Sequence, residues 1–178
     1  KSLQNVIENK PDPGHAAAFI AMERHDGCRK GGKGYPCRAI RTKDYLYILN
    51  HMPGRWPAGN PDREFCARYI PFGEVDSSPT KTLLMDNKDK PGFKRFYDLA
   101  FAKRPAEELY DLGEDPGQIV NLAGKTRYAE IQKSLAAQLK DYLADTNDPR
   151  SLGLDAPWDF YPYYGLKRNK NWRVDPKP

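Results

Sequence analysis

Residues 105–123 read PAEELYDLGEDPGQIVNLA, and no other stretch constrains the fold as strongly. A strand-like core, Glu108–Leu112, runs into a turn at Asp115-Pro116. A short apolar step follows, Ile119, Val120 and Leu122. Beyond it, Tyr128, Ile131, Leu135, Leu139 and Leu143 recur every three or four residues with Lys, Gln and Asp opposite. That spacing predicts an amphipathic helix over Tyr128–Ala144. Asn147-Asp148-Pro149 stops it. The unit is therefore strand, turn, helix.

Sixteen prolines and fourteen glycines in 178 residues demand many turns and exclude an all-helical bundle. The length suits one domain, or one domain plus a fragment. Only 39% of residues are hydrophobic, so much of the chain is surface or loop. No apolar run reaches the ~18 residues of a membrane span. The opening KSLQNVIENK has no initiator Met and no signal-peptide pattern, and reads like the middle of a protein. The compartment is open on these grounds. The net charge is +5, from 29 basic and 24 acidic residues. Such a balance favours anionic partners without choosing among nucleic acid, membrane surface and sulfated sugar. The basic residues are interleaved with acids rather than striped, which argues against nucleic acid.

Leu3, Val6 and Ile7 mark a helix face over residues 2–9, ended by Pro11-Asp12-Pro13-Gly14. Ala16–Met22 is a continuous apolar run and predicts a buried strand of the parallel kind. It delivers Glu23-Arg24-His25 at its end, ahead of a mobile, polar, Gly-rich loop (26–34). Ala39–Asn50 alternates as a hairpin with its turn at Lys43-Asp44. His51–Ser78 lacks periodicity and reads as a long surface loop. Pro79–Asn87 predicts a short helix capped by Ser78, and Phe93–Ala102 a second. After Arg150 an aromatic, proline-rich tail lies over the body as irregular or short-strand structure.

Several local patterns carry chemistry. Gly27–Gly34 nearly matches a phosphate loop, but it ends in Gly34 rather than a hydroxyl residue. Tyr35-Pro36 cannot open the helix such a loop needs. His25, Cys28 and Cys37 could supply three zinc ligands, without paired spacing or a fourth ligand. Cys28 and Cys37 are close enough in sequence to bridge if their strands face each other. Arg24 beside His25 suits an anionic group, and Glu23 is placed to set the imidazole tautomer. The plainer alternative is a Glu23–Arg24 ion pair with an incidental histidine. Arg55-Trp56 places a guanidinium beside an indole, which suits a charged sugar and equally suits pinning a loop. Asp76–Lys81 reads as a helix start, or as a loop that brings Asp76 or Lys81 to a sugar.

Taken together these segments resemble one family. Glu23-Arg24-His25, then Gly34-Tyr35-Pro36, then Arg38–Ile48 (RAIRTKDYLYI) looks like the run found in sulfatases related to heparan N-sulfatase (sulfamidase). Arg55-Trp56-Pro57-Ala58-Gly59 and Asp76-x-Ser78-Pro79-Thr80-Lys81 are similar to segments of bacterial members. Leu99-Ala100-Phe101-x-Lys103-Arg104-Pro105 leads into the ELYDL motif, and Tyr161–Gly165 resembles their C-terminal ending. The likeness covers the chain from Ala16 onward.

The resemblance implies an α+β fold, with an antiparallel sheet of about four strands packed on one long C-terminal helix, with long loops and an aromatic tail. It implies that residues 1–25 end a catalytic α/β domain, 26–37 link, 38–150 form the C-terminal subdomain, and 151–178 pack on it. On this resemblance the parent is expected to hydrolyse sulfate esters or sulfamates of sulfated sugars, with formylglycine and Ca²⁺ expected in the catalytic domain and neither expected in this chain. Cys37-Arg38-Ala39-Ile40-Arg41 resembles the nucleophile signature C-x-P-x-R with Ala for Pro. It is β-patterned, whereas the nucleophile sits at a helix N-terminus, so it is set aside. This portion is expected to be inactive alone, to meet its own catalytic domain, and to offer His25, Arg24, Asp76, Lys81 and Arg55 to a sulfated carbohydrate. A periplasmic or secreted location is expected of such enzymes. The alternative is a free-standing carbohydrate-binding module, with Trp56, Trp158 and the tyrosines as stacking platforms.

Overall fold

The structure is a computed structural model that describes residues 3–11, 14–153 and 156–177. The Asp12-Pro13 part of the expected helix stop, Lys1 and Ser2 lie outside the described residues. Four strands, β1 (Ala18–Met22), β2 (Cys37–Arg41), β3 (Tyr45–Asn50) and β4 (Glu107–Asp111), form one sheet in that order, antiparallel throughout. The helices are α1 (Gln4–Ile7), α2 (Pro79–Asp86), α3 (Pro91–Phe101) and α4 (Ala129–Asp145). The fold is the expected α+β arrangement of a small antiparallel sheet on one long helix.

Alternation decides which face of the sheet meets α4. Ile40, Tyr47 and Leu109 are cross-strand neighbours on one face. They pack against Leu122, Leu135, Leu139 and Leu143 as the main core. Ala39, Leu46 and Tyr110 form a smaller cluster on the other face. The β2–β3 turn is closed by Thr42, whose Oγ1 accepts from the Tyr45 amide at 3.0 Å. Ser78 caps α2 by accepting from the Lys81 amide at 3.1 Å. Both features follow from short polar side chains that bond local backbone.

β4 is an edge, and residues 119–123 cover it. Asn121 Oδ1 accepts from the amides of Leu109 and Ala123, each at 2.9 Å, while its Nδ2 donates to the Glu107 carbonyl. The Leu122 amide donates to the Leu109 carbonyl. One asparagine thus takes the place of a fifth strand. Asp111 and Asp115 shape the approach, with Asp115 Oδ2 accepting from the amides of Ile119 and Val120.

β1 departs from expectation. It pairs antiparallel with β2 at the opposite edge and is mostly exposed, rather than buried in a parallel sheet. Only Phe19 of its large side chains reaches the core, stacking on Tyr142 at 3.7 Å. A continuous apolar run cannot distinguish two-sided burial from an edge with one open face. β1 is the first strand of this sheet, so the expected division at residue 25 does not separate it from residues 38–150. The α1 face is likewise exposed, with Leu3, Val6 and Ile7 all open.

Residues 51–78 are irregular, as expected, but not simply surface. They build a second core in which Ala58, Phe72 and Phe101 pack with Trp56, Leu84 and Tyr97. Gly73 is required there, because a Cβ would lie 2.6 Å from Cys28 Cβ and 2.8 Å from Cys66 Sγ. All three cysteines are free. Cys28 packs beside Cys66 against Gly73, while Cys37 stays on β2, so the Cys28–Cys37 bridge does not form.

Five charged side chains tie the parts together. Arg38 is buried and donates to Glu23 and Asp148, each at 2.8 Å. Arg150 donates to Glu23 at 2.6 Å and to Asp159 at 3.0 Å. Burial raises the Glu23 carboxyl, but Arg150 and Arg38 outweigh it and hold it below its ordinary 4.5. Asp148, raised by burial and lowered more by Arg38, lies below 3.8. His51 is held below 6.5, chiefly by burial. Among its described residues the tail contributes no strand, only a turn of 3₁₀ helix at Pro157–Phe160 and irregular chain.

Two outcomes follow. Asn121→Ala strips the Leu109 amide of its partner and is expected to cost about 1–3 kcal/mol in urea unfolding, with the m-value unchanged. Each depressed carboxylate contributes stability above its unfolded value and loses it as pH falls through its folded value. The melting temperature is therefore expected to fall steeply below pH 4.5 and again below 3.8. His51, depressed as a base, adds a shallower loss that begins at 6.5. Glu23→Gln is expected to cost about 3 kcal/mol at pH 7, by stranding buried guanidinium, and to flatten the acid limb in a pH series of melts.

Candidate functional site

The site begins where β1 ends. Glu23, Arg24 and His25 leave the sheet edge, and residues 26–36 turn beneath them. That segment is among the most buried in the chain, not the mobile loop its glycines suggest. Its glycines serve close packing. A Cβ on Gly34 would sit 2.8 Å from the Arg24 amide nitrogen, and Gly32 (φ 68°) would meet Val174 and Trp172. Trp172 closes the segment from the tail, its indole donating to the Arg29 carbonyl.

Arg29 organises what lies above. Its guanidinium is almost fully buried and every nitrogen donates: Nε to Trp56 O at 2.7 Å, Nη2 to Pro57 O at 2.6 Å, and Nη1 to Glu74 Oε1 at 2.8 Å. The other Glu74 oxygen, Oε2, lies 2.7 Å from His25 Nδ1. A carboxylate only accepts, so Nδ1–H is the donor, and the tautomer is set by Glu74. This corrects the expectation for Glu23, which is spent on Arg38 and Arg150. The His25 side chain is 78% exposed against 14% for Glu74 and 2% for Arg29. A solvent-facing imidazole therefore stands on an anchored carboxylate, which itself stands on a buried cation. With Nδ1 engaged, Nε2 is the atom that can accept from a hydroxyl or, when protonated, donate to an anionic oxygen.

The other expected site residues are placed less favourably. Arg24 donates to the carbonyls of Gly32, Tyr161 and Pro162, so it clasps the tail rather than pairing with Glu23. Arg55 is half-buried and donates through Nη1 to Gly34 O. Asp76 is exposed, 3.6 Å from Arg68, which pairs more closely with Asp26. Lys81 is buried, its Nζ donating to the carbonyls of Pro71, Phe72 and Val75 at 2.7–2.9 Å. Those three bonds use all its hydrogens, so Lys81 has none left for a sugar. Among the named residues, only His25 joins a cluster built to present a reactive atom.

Glu74 and Arg29, which complete that cluster, were not legible beforehand. Glu74 sits in a stretch without periodicity, and Arg29 lies inside a sequence that looked like loose basic loop. Among the described residues, no group of three or more His, Cys, Asp or Glu side chains is arranged to hold a metal. His25, Cys28 and Cys37 do not come together. Cys37 lies in mid-sheet register, and burial pushes its thiol up. That is poor ground for a nucleophile that requires a helix N-terminus.

The chain is similar to known sulfatases. It is 28% identical over 131 residues to the ulvan-active sulfatase of Formosa agariphila, a match over 68% of this chain and 20% of that protein. It is 45% identical over 51 residues to the Delta 4,5-hexuronate-2-O-sulfatase of Bacteroides thetaiotaomicron, covering 28% and 11% respectively. The chain therefore matches only a small part of either relative's length. Similar solved structures include a 2-O GAG sulfatase, at 19% identity and TM-score 0.46 over 88% of this chain and 22% of that one. Another, solved with its substrate D-glucosamine-2-N,6-O-disulfate, is 20% identical at TM-score 0.44 over 84% and 20%. No protein-family model matches the chain.

Proposed function

We propose that this chain is the C-terminal portion of a sulfatase that hydrolyses sulfate esters or sulfamates of glycosaminoglycan-type saccharides. Both curated relatives are named as sulfatases, which supports the reaction class. The observation that carries a role for this portion is His25, exposed yet fixed through Glu74 to the buried Arg29. It serves as a wall of the substrate pocket. Held by Nδ1, the ring presents Nε2 to a hydroxyl or anionic substituent of the sugar and orients it.

Formylglycine would supply the attack on sulfur in such an enzyme, and Ca²⁺ would neutralise the developing charge. The residues described here do not fit either group, as Cys37 sits in a strand and no ligand cluster forms. Both are assigned to a catalytic domain that this chain would meet in the parent protein. A periplasmic or secreted setting accords with that reading. No helix among the described residues is long and apolar enough to cross a membrane.

The test uses the full-length parent and a sulfated disaccharide. His25→Ala is expected to lower kcat/KM by about 10–100-fold, the worth of one hydrogen bond to a charged group, without moving the melting temperature. The isolated chain is expected to give no desulfation at any Ca²⁺ concentration. An unchanged kcat/KM would remove His25 from the pocket. Turnover by the chain alone would overturn the assignment of the reacting groups.

A further inference from the structure

Beside Arg29 lies a cavity of about 290 Å³ whose lining includes Lys30, Lys33, Arg55, Trp56 and Lys103. Among the described residues that line it, counting Arg29, five carry cationic side chains and none a carboxylate. Like charges gathered round a concavity repel, and a fold ordinarily relieves this with acids. Here the relief is slight. Glu74, which pairs with Arg29, is not part of the lining, and Asp175 stands 3.7 Å from Lys33 and is largely exposed. Lys30 and Lys103 have no ion pair or hydrogen bond among the described residues.

Aromatic rings position these lysines instead. Lys33 lies 4.4 Å from the Phe160 ring centre, Lys103 5.2 Å from Trp56, and Lys30 5.7 Å from Phe65. A cation over a ring is localised but keeps its charge, unlike one neutralised by a carboxylate. Three ammonium groups are therefore held beside rings, two of them, Lys30 and Lys103, with no acidic partner among the described residues and Lys33 with only the distant Asp175. Arg55 adds a planar guanidinium of which only Nη1 is engaged. Burial pushes its pKa down, with Arg150 and Arg29 adding to the effect and Asp159 and Glu23 offsetting it only in part. Trp56 gives the cavity an apolar wall. Ligand pockets begin at about 300 Å³, so the space suits roughly one sugar ring with its substituents.

We infer that this cleft is a binding subsite for a polyanionic saccharide, its lysines and Arg55 engaging sulfate or carboxylate groups beside Trp56. The saccharide class rests on the sulfatase reading; the anion site rests on the cleft itself. A single cavity with an indole wall favours a sugar over the extended basic track that nucleic acid uses. Because Arg29 is shared, the His25 cluster and the cleft are two faces of one support.

The experiment titrates the 178-residue chain with a sulfated glycosaminoglycan tetrasaccharide and with its desulfated counterpart, read by calorimetry at two salt concentrations. The sulfated form is expected to bind at least 10-fold more tightly, with affinity falling as salt rises. The triple substitution Lys30→Gln, Lys33→Gln and Lys103→Gln is expected to weaken binding at least 10-fold and to flatten the salt dependence. Lys103→Gln alone is expected to weaken it about 3-fold, which keeps the test valid if the triple variant folds poorly. Equal binding of the desulfated form, unaltered affinity in both lysine variants, or tighter binding of a polyuridylate of equal charge would each overturn the inference. Desulfation by the full-length parent that depends on His25 but not on the lysines would sink the cleft and leave the sulfatase reading standing. Lysine-dependent binding by a chain whose parent desulfates nothing would do the reverse.

Discussion

Arg38 and Arg150, with Glu23, Asp148 and Asp159, form the junction on which the rest of the molecule depends. Glu23 follows β1, Arg38 lies in β2, Asp148 follows α4, and Asp159 belongs to the tail. Apolar contacts hold α4 to the sheet, but they are tolerant of small shifts. Ion pairs taken out of water are not, because a misplaced buried charge forfeits hydration without recovering its partner. Their net contribution to stability is modest beside apolar packing of equal volume. Their effect is geometric: only one docking of helix exit, sheet edge and tail satisfies all five groups.

His25 inherits that precision. It lies two residues beyond Glu23, and the segment that follows is locked by Arg29, whose bonds to Trp56, Pro57 and Glu74 fix residues 56–74 against it. Close approach by Gly34 and Gly73 permits this packing, since a side chain at either would collide with backbone or buried sulfur. The tail then seals the assembly through Trp172 and the Tyr163 hydroxyl, which donates to Asp26. An exposed imidazole and a cation-lined cleft so share one rigid base. Pre-ordering of this kind lowers the conformational cost of engaging a charged, flexible saccharide.

Elements governed by local rules were legible from the residues. The β2–β3 hairpin, the Ser78 cap, α3 and the long helix all follow from periodicity and short-range hydrogen bonding. The edge position of β1 was not, because apolar composition does not report how many faces are covered. The Gly-rich segment looked loose because its burial comes from Trp172 and Ala67, remote in sequence. The burial of Arg38 was not legible for the same reason: its partners Glu23 and Asp148 are 15 and 110 residues away. Of the expected site residues, His25 keeps a reactive atom free, Arg24 and Lys81 are drawn into backbone contacts, and Glu74 supplies the partner that Glu23 was expected to be.

Local order along the chain set the secondary structure of the hairpin and helices, the side of α4 that must be buried, and the likeness to sulfatases. Those depend on neighbours three or four residues apart, or on short motifs read directly. Which carboxylate holds His25, which lysines lack an acidic partner, and which cysteines stay apart were settled by the three-dimensional packing. Each of these is settled by contacts between segments tens of residues distant, where burial and charge pairing overrule what a side chain would do alone.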